Sequence, residues 1–318
     1  MTVAPPATAG PVIVRLAAAA MATRFEIVLG GEDEVGLRAA GEAALAEIRA
    51  CEQAISPFLA GSSIARINRE AGTRPVRVDP LTFELLEDCV RLVRATGSAF
   101  DPTVGAAMRA LGFRGSTRDE RAGEAAPAAI GMDRVELDPE RRTVRFKAAG
   151  LELDVGAIGK GHALDLAAAC LREAGVRCAL LHGGTSTAIA IGAPPGQDGF
   201  RIAIGPEPRA PVAVIRDAAL SVSSILGRRL DDGTPHIVDP RCGRPAQGRA
   251  TTAAAITRHA RTADAWSTAL LVRDSLDLVD PDDSALILRG GIGLSFRNAA
   301  GPNRFEIPAL SHPTTFLP

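Results

Sequence analysis

Apolar positions recur at helical spacing over residues 33–55 and 80–95, which predicts two amphipathic helices, the second with Pro80 in its first turn. Shorter alternating or continuous apolar runs predict strands at 12–22, 24–29, 135–137, 143–146, 151–155, 179–181, 187–191, 201–204, 212–215, 219–222, 236–238 and 250–256. A further helix is expected over 263–272, followed by a hairpin-like C-terminal stretch. Residues 135–155 read as a meander, 56–68 as a polar link, 96–105 as a loop and 115–130 as variable surface. The chain lacks the regular strand–helix rhythm of a parallel sheet, so the pattern predicts an α+β fold with mixed, largely antiparallel sheets and packed helices. No linker divides it; residues 12–318 are expected to form one domain behind a disordered tail over 1–11.

One stretch stands out from this pattern. LDVGAIGKGHALD, 153–165, runs from a strand through three glycines into an Ala/Leu-rich helix expected to begin near His162. Glycines serve where the backbone takes a positive φ or approaches a neighbour closely, and a helix start offers free N–H groups to an anion. A tight turn that only aids packing explains the same residues. A Walker loop would need Gly at 154 and Ser or Thr at 161, where the chain has Asp154 and Gly161; a Rossmann fingerprint would need Gly or Ala at 164, where it has Leu164. Gly159 is the position at which a side chain is expected to intrude on the turn or a ligand.

Composition narrows the choice of partner. A net charge of -1 argues against nucleic acid. Lys147 and Lys160 are the only lysines, which draws attention to the one inside the glycine loop, and there is no tyrosine. The five cysteines are scattered without a CxxC pair, as expected of reduced thiols. Arg15 interrupts the first apolar run, which has no basic segment before it, and no run is long enough to span a membrane. The cytoplasm is the expected compartment, with an exported form as the alternative.

Several further residues carry candidate chemistry. Asp264 and Thr268 are four apart on the last predicted helix, with Ser267 beside them. An oxygen-only set on one helical turn suits a hard cation such as Mg²⁺; an aspartate favouring its own helix dipole is the competing account. HIVDPRCGRP, 236–245, is a turn by composition in which His236 is a weak candidate for a catalytic role. FDPTVG, 100–105, and HGGTSTA, 182–188, are loops rich in backbone N–H groups and hydroxyls.

In this order the motifs AMATRFEI (20–27), ISPFLAGSSIARIN (55–68), TGSAFDPTVG (96–105), LDVGAIGKGHALD (153–165), HIVDPRCGRP (236–245) and ADAWSTAL (263–270) resemble the ApbE family, the FAD:protein FMN transferases. The resemblance runs from about residue 12 to residue 273. It implies an ApbE-like, T-fold-related α+β architecture, FAD as substrate with Mg²⁺, and transfer of FMN to a Thr or Ser hydroxyl of a target protein with release of AMP. Carried over by motif, it implies flavin-nucleotide contacts at Met21, Phe58, Ala99, Phe100, Asp101, Asp154, Lys160 and Val238. Metal ligands are implied at Ala157, through its carbonyl, and at Asp264, Ser267 and Thr268. Ala22 stands where a glycine is usual, and SVSS at 221–224 is a loose version of the usual Thr/Ser-Gly turn. An FAD pyrophosphatase and a flavin-binding protein without turnover are the alternatives on the same scaffold. No full acceptor motif occurs in the chain, since Thr234 of LDDGTPH comes one residue too early.

Overall fold

The computed structural model describes residues 12–113, 129–227, 229–290 and 293–308. The tail expected over 1–11 and the surface segment as far as 128 lie outside the described residues. An eight-stranded antiparallel sheet organises the rest. Its order is β1 (Val12–Ala20), β2 (Thr23–Gly31), β6 (Cys178–Gly183), β7 (Thr187–Ile191), β10 (Ala219–Ser224), β13 (Ala250–Thr257), β14 (Ser284–Arg289) and β15 (Gly293–Arg297).

Side chains alternate between the two faces of a strand, and here both faces are covered. Ile189 and Ile191 of β7, Ala253 and Ala255 of β13 and Ile287 of β14 enter one core, closed by α1 (Glu34–Ile55), α5 (Gly159–Glu173) and α6 (Ala260–Arg273). Ala190, Ala254, Ile256 and Leu286 enter a second, closed by a small sheet of β8 (Phe200–Ala203), β9 (Val212–Ile215) and β16 (Arg304–Glu306). Burial on both faces explains why β7 after Thr187 reads as an unbroken apolar run. α1 begins where the Asp33 carboxylate accepts the Gly36 N–H at 3.0 Å, and its buried stripe of Leu37, Ala44, Ile48 and Ile55 follows the helical period.

A third sheet, β3 (Val76–Arg77), β5 (Thr143–Phe146) and β4 (Val135–Asp138), packs with α2 (Ser63–Glu70) and α3 (Pro80–Ala95), while α4 (Gly105–Ala110) places Ala107 in a separate small core with Leu111, Phe113, Ile130 and Val238. Three expectations are corrected here. The link over 56–68 runs into α2: the Ser62 hydroxyl accepts the Ala65 N–H at 3.0 Å, and Ile64 and Ile67 turn one face into the core. The meander's third strand is β3, and residues 151–155 form no ladder beyond a single bridge between Glu152 and Val104. Their backbone groups are met otherwise, since the Asn68 amide exchanges hydrogen bonds with both groups of Leu153 at 2.7 and 2.9 Å, and Asp154 N–H donates to the Pro102 carbonyl at 2.6 Å. The strand expected at 236–238 shifts to β11 (Val238–Asp239), paired with β12 (Arg244–Pro245).

Candidate functional site

α5 opens at Gly159 rather than His162, and no side chain of its own caps it. Instead the Gly161 N–H, which in a continuing helix would reach back to the Ala157 carbonyl, donates to Asp264 Oδ2 of α6 at 2.7 Å. α6 also lacks a cap of its own, and Asp165 of α5 accepts the N–H groups of Ala260 and Arg261 at 2.7 and 3.1 Å. Each helix thus caps the other with an aspartate from its first turns, and the two positive helix ends converge. Burial pushes the Asp165 carboxyl up to about 6 despite the two amides and the Arg261 guanidinium that favour its charge.

This exchange demands close approach. A Cβ added at Gly161 would stand 2.2 Å from the Ala260 carbonyl oxygen, whereas one at Gly159 would meet only Ile55 Cδ1 at 3.3 Å. None of Gly156, Gly159 and Gly161 has a positive φ. Backbone contact at Gly161, rather than a turn at Gly159, is therefore what glycine chiefly serves in this loop.

Around Asp264 lies a cluster of hydroxyls. Its Oδ1 accepts from Thr187 of β7 at 2.6 Å and from Ser221 of β10 at 2.7 Å. Ser221 lies 3.1 Å from Ser267, and Ser223, two residues along the same strand face, lies 2.8 Å from Ser267 and 3.2 Å from Thr268. Asp264 is 3% exposed and Ser267 is fully buried, while Thr268, Ser223 and Ala157 are half-buried. The sequence-predicted group Asp264, Ser267 and Thr268 is thus brought together. Thr187, Ser221 and Ser223 belong with it; the sequence marks them only as members of HGGTSTA and SVSS and does not assign them to this cluster.

The donor set consists of oxygens, and no cluster of three His, Cys, Asp or Glu side chains gathers among the described residues. A carboxylate offers about four acceptor positions. Three are taken in Asp264, which leaves one on Oδ2. One carboxylate with hydroxyls fits Mg²⁺ that completes its shell from water and substrate phosphates, rather than an all-protein cage.

The remaining predicted residues lie at different depths in the fold. Lys160 and Asp154 are half-buried along the loop, Asp154 accepting the Gly156 N–H at 2.8 Å. Met21 is half-buried in the β1–β2 hairpin, its N–H donating to Glu52 of α1 at 2.6 Å, and Phe58 projects just beyond the end of α1 with 70% of its surface exposed. Ala99 and Phe100 are buried in the main core. Asp101 is a buried staple that accepts from Thr103 N–H and hydroxyl at 2.9 and 2.6 Å and from Met132 N–H at 3.0 Å; burial outweighs these bonds and raises its pKa. Val238 is buried with Ala107, Leu111, Phe113 and Ile130, and His236 is half-buried just before it.

The structure is an antiparallel α+β scaffold with a hydroxyl-ringed aspartate where two positive helix ends converge, an arrangement whose chemistry suits an anion and a hard cation. The ApbE family model matches residues 21–285, and the chain belongs to that family. It is 30% identical to the FAD:protein FMN transferase of Treponema pallidum over 252 residues, covering 70% of this chain and 67% of that one. It is 32% identical to the Rhodobacter capsulatus FAD:protein FMN transferase over 222 residues, which is 65% of this chain and 41% of that longer protein. The ApbE protein of Thermotoga maritima superposes with a TM-score of 0.79 at 27% identity, covering 91% of this chain and 97% of that one.

Proposed function

We propose that this chain transfers FMN from FAD to a Thr or Ser hydroxyl of a target protein and releases AMP. The observation that carries the reading is Asp264, held among hydroxyls against the amino end of α5 beside Lys160. The reaction forms a bond between the acceptor hydroxyl oxygen and the FMN phosphorus and breaks the bond from that phosphorus to the bridging oxygen, which departs on AMP. Little covalent work falls to the protein; it positions the two substrates and stabilises charge.

In this reading the N-terminal turns of α5 and α6, with Lys160, supply positive potential for the pyrophosphate. Asp264, the Ser267 and Thr268 hydroxyls and the Ala157 carbonyl would hold Mg²⁺, which would neutralise pyrophosphate charge. Phe58, exposed beyond α1, offers a flat face to the isoalloxazine ring. Ala99, Phe100 and Asp101 are assigned to shaping the floor of the site, since their side chains are already buried. Val238, likewise buried, braces the loop that carries His236.

The test is AMP release from FAD and Mg²⁺ by the purified chain, with and without a peptide carrying an acceptor threonine, together with mass analysis of the peptide. FMN added to the peptide in step with AMP supports the transferase. AMP release independent of the peptide, with no added mass, points to the pyrophosphatase, and absence of AMP in both arms to a binding protein.

A further inference from the structure

Thr187 and Ser221 are direct register partners across β7 and β10. Both are buried, at 3% and 2% exposed, and both hydroxyls donate to the same oxygen of Asp264. Among the described residues the opposite oxygen takes only the Gly161 N–H. A carboxylate turns easily about its last torsion, a broad, roughly two-fold rotation that exchanges its oxygens. Two charge-assisted hydrogen bonds on Oδ1 remove that freedom and leave Oδ2 as the oxygen with room for a further partner.

We propose that Thr187 and Ser221 are positioning residues that orient Asp264 for a divalent cation, which rests on the reading of Asp264 as a metal ligand. They act through Asp264 and need touch neither metal nor substrate. Outer hydrogen-bond partners of a metal-binding carboxylate typically contribute on the order of 10- to 100-fold to metal affinity. Merely satisfying a buried acceptor is the competing role, and it predicts loss of stability without a specific loss of metal.

Thr187→Val keeps the side-chain shape and removes the hydroxyl; Ser221→Ala does the same for its partner. Mn²⁺ is titrated into each full chain with FAD present and followed by the loss of the free-ion paramagnetic resonance signal, and melting temperature is recorded on the same samples. Each variant is expected to bind Mn²⁺ about 10- to 100-fold more weakly, with Thr187→Ser close to wild type. The Mg²⁺ concentration for half-maximal AMP release should rise in parallel. Should Thr187→Val fail to fold, Ser221→Cys, similar in shape but a weak donor, carries the same comparison. Folded variants with unchanged Mn²⁺ affinity overturn the proposal. Asp264→Ala separates the two levels. If it loses Mn²⁺ while Thr187→Val and Ser221→Ala retain it, only the positioning role fails; if it binds as wild type does, the metal reading fails as well.

Discussion

His162, in the first turns of α5, is 1% exposed, and neither ring nitrogen has a hydrogen-bond partner among the described residues. Burial, aided by the Arg261 charge and opposed by Asp79, lowers its pKa from 6.5 to about 4. Between those values the unfolded chain binds a proton that the folded chain refuses. Stability attributable to His162 is therefore present above pH 6.5 and lost as pH falls toward 4, by about 3 kcal/mol in the limit. Asp165 works in the other direction, because its carboxyl rises from 3.8 to about 6 and the folded chain holds a proton that the unfolded chain has released. The two slopes largely offset each other. His162→Leu removes only the first, so its stability relative to wild type should improve by up to about 3 kcal/mol between pH 6.5 and 4. Urea denaturation of both proteins at the two pH values measures this, and a difference independent of pH would contradict it.

At the scale of elements, the β1–β2 hairpin turns through Met21 and Ala22, at φ of 50° and 55°. Both central residues of such a two-residue turn need positive φ, which a non-glycine residue adopts at a cost of about 1 to 2 kcal/mol. Ala22→Gly relieves that strain while enlarging unfolded-state freedom, for a net gain of about 0.5 to 1 kcal/mol; an unchanged or lower denaturation midpoint would contradict it. Gly161→Ala acts oppositely, since its methyl group meets backbone of α6 and the helices must separate. A loss of about 3 kcal/mol is expected, on the scale of severe overpacking, against a much smaller loss for Gly159→Ala. Equal melting temperatures for the two variants would remove the helix-crossing account of this loop. These elements also show where the sequence is legible. α1 and α3 announce themselves because a long apolar stripe fixes their period, whereas α2 has only Ile64 and Ile67 on its buried face, too few to set one. Leu151, Leu153 and Val155 alternate like a strand and are buried like one, but Leu153 pairs with the Asn68 side chain and Asp154 with Pro102, which no local pattern reveals. Asp264 and Thr268 are visible as one face of a helix; the hydroxyls of Thr187 and Ser221 reach Asp264 only through the register of two strands.

For the molecule as a whole, the candidate site draws on β7, β10, α5 and α6, so binding and folding are linked. FAD with Mg²⁺ should raise the melting temperature, and at ligand concentrations near 100 times Kd the stabilisation is about 2.7 kcal/mol. Chelating the metal should remove most of the shift; a melting temperature indifferent to both ligands would count against the site.

Reciprocal capping by Asp165 and Asp264 also sets an order of events during synthesis. Domains fold largely as units while the chain emerges from the ribosome. Until α6 has emerged, the Gly161 N–H lacks its acceptor and Asp165 has no helix end to cap. A nascent chain that stops short of α6 therefore holds the glycine loop, β7 and β10 without the carboxylate that joins them. On the reading of Asp264 as a metal ligand, capture of FAD together with Mg²⁺ would begin only once α6 has emerged.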